Sequence, residues 1–215
     1  MIILTLDTET TGLPGVSRGV PPRKQDLDKW PHIVQMSWLM YDVQKGKIIS
    51  EYDYVVQLPD GAEMPEESTA IHGITQRMSK NGICLEDALG ILRVCVEQAQ
   101  IIVGHNLDFD LDIIRSAGLR TDKTHERETL FPAAKIYYCT MKHGRVLCNL
   151  VKPDGYLKSP RLEELHRCLF HENATNLHNS MVDVLVCFRC FYRMMYKADI
   201  CAVGGRKKLS KSRFR

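Results

Sequence analysis

Residues 4–15, LTLDTETTGLPG, set an apolar run directly against two carboxylates, Asp7 and Glu9, and close with a Thr-Thr-Gly turn. Residues 2–7 read as a short buried strand, because Ile, Leu and Thr favour that state. Side chains alternate across a strand, so residues two apart share a face. Asp7 and Glu9 then converge at a strand end, where like charges are costly unless a positive partner lies between them. A divalent cation with oxygen ligands is the economical partner. An exposed acidic pair is the alternative, and the spacing alone is common: Asp26/Asp28, Glu51/Asp53 and Glu126/Glu128 share it. What distinguishes Asp7 and Glu9 is their place between a buried run and a glycine turn.

The rest of the chain alternates strand and helix signals. Residues 12–31 read as a long loop. HIVQMSWLMYDV (32–43) and GKIISEYDYVVQL (46–58) read as two strands joined by a turn at Lys45-Gly46. A Pro/Gly/Glu-rich loop spans 59–75. CLEDALGILRVCVEQA (84–99) repeats Leu85, Leu89, Leu92 and Val96 at helical spacing. IIVG (101–104) is a short buried strand, and DFDLDIIRSAG (108–118) is a helix closed by Gly118. Residues 119–160 show little pattern beyond a strand at AKIYYCTM (134–141). RLEELHRCLF (161–170) and NSMVDVLVCFRCFYRMM (179–195) are helices. This order predicts one α/β domain over residues 1–204, with helices on a mixed central sheet.

Composition narrows the class. At 44% hydrophobic residues the 215-residue chain is globular. No apolar stretch approaches the ~20 residues that cross a bilayer. Met1-Ile2-Ile3-Leu4 runs straight into the acidic motif, without the basic start and cleavage site of a secretion signal. The expectation is an intracellular, cytoplasmic protein with reduced cysteines. The eight cysteines lack paired zinc spacing, and Cys187 and Cys190 fall near a helix's apolar face as buried thiols. The six positives of residues 205–215 exceed the whole chain's net +3, so residues 1–204 carry three net negatives. That basic tail is expected to be disordered, serving as a phosphate attractor, a nuclear address or simply a solubilising end.

Two later stretches carry further acids. In VGHNLDFDLDIIRSAG a strand feeds a helix, and Asn106 or Asp108 can cap it. Asp108, Asp110 and Asp112 cannot all face one way, and at least one is a helix-start charge favoured by the macrodipole. In NLHNSMVDVLV, His178 precedes Asp183 by five residues, and Asp183 lies near the start of the last long helix. Taken singly, each stretch has an ordinary reading as a cap or surface charge.

Together, Asp7-x-Glu9, His105-Asn106-x-x-Phe109-Asp110 and His178-x₄-Asp183 resemble the DEDDh exonucleases, the proofreading-type 3′–5′ exonuclease superfamily with a ribonuclease-H-like fold. WPHIVQMSW resembles that family's second strand, AIHGIT (70–75) its substrate-side loop, and RLEELHRCLF its penultimate helix. The likeness runs from about residue 2 to about residue 196. One departure is Cys139-Thr140-Met141, where many members carry Asp before the Thr.

The resemblance implies a two-metal phosphodiesterase using Mg²⁺, with Mn²⁺ able to substitute. It implies Asp7, Glu9 and Asp183 on one ion and Asp7 with Asp110 on the second. His178 would be the general base, a task suited to an imidazole that ordinarily titrates near ~6.5. Thr8, Thr10, Gly12, Leu13, His72, Asn106 and Phe109 would contact the terminal nucleotide, with Leu13 as an apolar wedge. For several of these a plainer role stays open: Phe109 as a core anchor, Leu13 as loop packing, His72 or Asn106 as a cap. The implied substrate is a single-stranded or frayed DNA 3′ end, with RNA as the rival. A non-catalytic nucleic-acid-binding domain is the other alternative. Any polymerase or replication partner would be a separate chain, and oligomeric state is not legible.

Overall fold

The computed structural model describes residues 1–121, 130–175 and 177–203. Five strands form one mixed sheet: β1 (Ile2–Thr10), β2 (Ile33–Asp42), β3 (Lys47–Val55), β4 (Ile101–Gly104) and β5 (Ile136–Cys139), in the order β3-β2-β1-β4-β5. β1, β2 and β3 form an antiparallel meander, while β4 and β5 run parallel to β1. The helices are α1 (Glu66–His72), α2 (Gln76–Lys80), α3 (Leu85–Gln98), α4 (Leu107–Thr121), α5 (Thr140–Cys148), α6 (Leu162–Phe170), α7 (Ser180–Tyr196) and α8 (Ile200–Val203). This is the mixed sheet flanked by helices that the element order implies.

Helices cover both faces of the sheet. On one face Leu4, Leu6, Met36 and Trp38 pack against Leu89, Leu92 and Val96 of α3 and Leu107, Leu111 and Ile114 of α4. On the other, Ile3, Leu39, Tyr41 and Val103 pack against Val184, Phe188 and Phe191 of α7. All ten residues of β2 are buried, the mark of a strand covered on both sides. β3 lies at the sheet edge and alternates exposed with half-buried residues. Cys187 and Cys190 are both buried in α7, as their apolar setting predicts.

Several boundaries differ from the sequence reading. β1 continues past residue 7 to Thr10, so Glu9 as well as Asp7 lies within the strand. The 12–31 loop contains a 3₁₀ helix at Lys24–Lys29. The 59–75 loop contains α1, whose last residue is His72, and which ends on Gly73 at φ 75°. α4 does not stop at Gly118 but runs to Thr121. Tertiary contact explains the extension: the Arg120 guanidinium donates to the Pro31, Leu27 and Trp30 carbonyls and ties the last turn to the 12–31 loop. The short α2 and α8 have too few turns for periodicity to show, and α5 marks no buried face because its apolar Val146 and Leu147 are exposed. The basic tail lies outside the described residues. No helix among the described residues is long and apolar enough to cross a membrane.

Candidate metal centre

Parallel neighbours β1 and β4 present their carboxyl ends at the same edge, where open α/β sheets bind ligands. The acids reach that edge from both faces of the sheet. Asp7 and Glu9 share strand parity with Ile3, on the α7 side. α7 brings Asp183 there from its first turn. The Ser180 hydroxyl donates to the Asp7 carbonyl at 2.8 Å, and the Ser180 N–H donates to Gln35 Oε1 at 3.3 Å. Gln35 and Ser37 in turn donate to Asp53 Oδ1 at 2.7 and 2.8 Å. Asn179 caps the helix by accepting the Val182 N–H at 3.3 Å. The start of α7 is therefore pinned to β1 and β2 by polar bonds as well as by packing.

One ligand oxygen each from Asp7, Glu9 and Asp183 lies within 4.8 Å of the others, the one such group of His, Cys, Asp or Glu among the described residues. Asp183 Oδ2 accepts the backbone N–H of His178 at 3.2 Å. Asp183 Oδ1 is buried and has no hydrogen-bond partner. A buried, unpaired carboxylate oxygen facing two more carboxylates fits a hard cation, and an all-oxygen donor set suits Mg²⁺, Mn²⁺ or Ca²⁺.

Asp110 stands outside that trio. It comes from α4 on the opposite face of the sheet and is 2% exposed. The Thr8 N–H and hydroxyl both donate to its Oδ1, at 3.0 and 2.8 Å. Thr8 is thus occupied by Asp110, which leaves its backbone no free N–H for a nucleotide. Of the rival acids in this stretch, Asp108 is exposed against Lys142 at 2.6 Å, and Asp112 pairs with Arg115 at 2.8 Å.

Electrostatics record the crowding. Burial, then the charges of Asp110, Asp183 and Glu9, push Asp7 well above the usual carboxylate range. Burial, then Asp183 and Asp110, raises Glu9 to about 7. Burial raises Asp110 to about 7 against the lowering effect of its Thr8 bonds. Burial also raises Asp183 to about 7, opposed by the His178 N–H. All four groups resist ionising together without a cation.

His178 sits in the left-handed region at φ 70° with an exposed side chain. It lines a cavity of about 120 Å³ together with Asp183, Leu177 and Arg161. On the α4 side lies a larger groove of about 530 Å³, lined by Leu13, Arg18, Trp30, Asn106 and Phe109 among others. Its size falls in the ~300–1,000 Å³ range of small-molecule sites. Leu13 is 85% exposed at its rim, which excludes loop packing as its role. Phe109 packs against the core and also lines the groove. Asn106 is left-handed at φ 65° and accepts from the Arg18 guanidinium at 3.1 Å. Thr10 donates its hydroxyl to the Gly12 carbonyl at 2.6 Å, shaping the turn after β1. Gly12, at φ 152°, has open space where a Cβ would stand, so backbone and not crowding requires it. His72 is buried at the end of α1, and its Nδ1 accepts the Ile74 N–H at 3.0 Å. That bond places the proton on Nε2, which lies on the Thr10 side.

Residues to which the sequence motifs assign no role support the site. His105 Nε2 and Nδ1 bond the Pro160 carbonyl (3.1 Å) and the Thr140 hydroxyl (3.0 Å), linking the β4–α4 junction to α5 and α6. Burial lowers its pKa to about 4, so it is a neutral strut. Thr140 is fully buried at the first turn of α5, so Cys139-Thr140 makes this junction without an acid. Ser180, Gln35, Asp53 and Arg18 carry no local signal, because their partners are distant in sequence.

A family model described as exonuclease matches residues 4–191. No curated protein matches the chain in sequence. Among solved structures, E. coli Exonuclease I in complex with a dA16 oligonucleotide is similar at TM-score 0.67 and 15% identity, over 90% of this chain and 41% of that one. Its complex with a dT13 oligonucleotide gives 0.66 and 16%, over 89% and 41%. The zinc-ion-bound form of its ssDNA complex gives 0.67 and 16%, over 91% and 41%. At such identity the likeness is one of fold, and this chain spans about two fifths of the length of those chains.

Proposed function

The chain belongs to the exonuclease family of nucleic-acid hydrolases, and from that premise we propose that it releases 5′-mononucleotides from the 3′ end of nucleic acid. Single-stranded or frayed DNA is the proposed substrate, in keeping with the oligonucleotides held by the similar structures. The observation that carries the reading is the approach of one oxygen each of Asp7, Glu9 and Asp183 to within 4.8 Å of one another, with Asp183 Oδ1 buried and unpartnered.

Two divalent cations, Mg²⁺ or Mn²⁺, would supply Lewis-acid activation of water and charge stabilisation at the leaving oxygen. Asp7, Glu9 and Asp183 would hold one of them, and Asp7 with Asp110 the other. Thr8 keeps Asp110 aimed by occupying a single oxygen, leaving Oδ2 for a cation. His178 accepts the proton of the attacking water, and its side chain is exposed to do so. The backbone bond from His178 to Asp183 couples the base to the metal-holding acid. Leu13 and Phe109 grip the terminal base by apolar contact and stacking, which tolerates any base. Asn106, His72, Thr10 and Gly12 border the sugar and phosphate.

A digestion panel tests this: single-stranded, duplex and mismatched DNA and matched RNA, with Mg²⁺ or EDTA. The proposal expects mononucleotides from single strands and mismatched ends, and none with EDTA. Faster loss of RNA would assign the chain to RNA processing. Retention of every strand with measurable binding would make it a non-catalytic domain.

A further inference from the structure

We propose that Arg161 is a substrate-phosphate contact, gripping the backbone on the α7 side of the centre while the groove holds the terminal nucleotide on the α4 side. The inference rests on the exonuclease reading above. Arg161 precedes α6 and lines the same cavity of about 120 Å³ as Glu163, His178 and Asp183. Of the residues lining that cavity it is the one permanent cation.

Charge balance says why a cation is needed there. Four carboxylates cancel the four charges of two divalent ions. The phosphodiester's own negative charge, and the charge that grows as water attacks, then fall to the protein. Residues 1–204 carry three net negatives, so any attraction of the strand by this part of the chain is local. A planar guanidinium at the mouth of the cavity offers bidentate donors to phosphate oxygens.

The ion pairs of Arg161 are weak enough for a phosphate to displace them. Its guanidinium pairs with Glu163 at 2.8 Å, but the side chains are 70% and 47% exposed, a class of ion pair worth little. Its longer contact, 3.8 Å to Glu164, competes with Lys158, which holds Glu164 at 2.6 Å. The cap of α6 uses the Arg161 backbone N–H, which donates to Glu164 Oε2 at 2.8 Å. A side-chain substitution at 161 therefore leaves the helix start intact.

The test measures anisotropy of a fluorescein-labelled dT16 strand titrated with the full chain in Ca²⁺, across salt, beside steady-state hydrolysis in Mg²⁺. Arg161→Gln is expected to raise Kd and KM about tenfold. It should also flatten the log–log salt slope of binding by ~0.7, the value for one single-strand phosphate contact. Glu163→Gln, which frees the guanidinium, should tighten binding two- to threefold. Arg161→Gln with wild-type Kd and slope overturns the assignment, as does Glu163→Gln that weakens binding. A wild-type chain that neither binds nor shortens the strand overturns the exonuclease reading, and this contact with it.

Discussion

Thr8 and Asp110 lie 102 residues apart, yet the Thr8 N–H and hydroxyl both donate to a single oxygen of Asp110, at 3.0 and 2.8 Å. The strand and the helix that carry them approach the sheet edge together, so this pair fixes the fourth acid relative to the other three. Thr8→Val keeps the shape and the N–H but deletes the hydroxyl. Loss of one hydrogen bond to a charged group costs ~1–3 kcal/mol. Urea denaturation should show a loss of that size in Mg²⁺. The Mg²⁺ concentration for half-maximal hydrolysis should rise, because the Thr8 bonds oppose protonation of Asp110.

Substitution at the trio should separate stability from activity. Asp183→Asn removes one charge from a repelling cluster, so the metal-free protein should melt higher than wild type. The same change withdraws a metal ligand whose contribution is several kcal/mol, roughly 10²- to 10⁴-fold in rate. Thermal melts in EDTA and hydrolysis rates in Mg²⁺ check both halves. Asp7→Ala should likewise abolish turnover.

Metal-free stability should fall as pH rises from about 4 to about 7. Glu9 and Asp183 ordinarily titrate at 4.5 and 3.8 and are raised to about 7 in the folded chain. Below the ordinary values both states are protonated, and stability is at its fullest. Above them the unfolded chain ionises while the folded one resists, so stability declines until the folded groups also ionise near 7. Melting temperatures in EDTA should follow that slope, and Mg²⁺ should stabilise more at pH 8 than at pH 5.

His178→Gly suits the left-handed backbone at φ 70° and keeps the N–H that reaches Asp183. Metal affinity should therefore be retained while hydrolysis slows about 10²- to 10⁴-fold, the usual worth of a general base. Calorimetric Mn²⁺ titration beside single-turnover rates checks the split.

Long, periodic elements are legible in the sequence. The β1–β3 meander, α3, β4, α6 and α7 follow from alternation, helical spacing and the Lys45-Gly46 turn. α1, α2 and α8 are not, because one or two turns of helix leave no period to count, and α5 is not, because its apolar Val146 and Leu147 are exposed and mark no buried face. Gly118 misleads for a different reason: Arg120 binds carbonyls about 90 residues away, and that tie carries α4 past a residue that would otherwise end it. The site divides in the same way. Asp7 and Glu9 are visible as a local pair, and Asp183 and Asp110 through the spacing of their motifs. The Thr8–Asp110 bonds, the Ser180–Gln35–Asp53 chain and the place of Arg161 beside His178 are long-range facts that only the fold supplies.

The most direct test of the central claim is anomalous diffraction from crystals grown with MnCl₂. The account predicts a manganese peak at coordination distance from Asp7, Glu9 and Asp183, with Asp183 Oδ1 as one ligand, and loss of that peak in Asp183→Asn. Manganese bound elsewhere, with the three carboxylates uncoordinated, would contradict it.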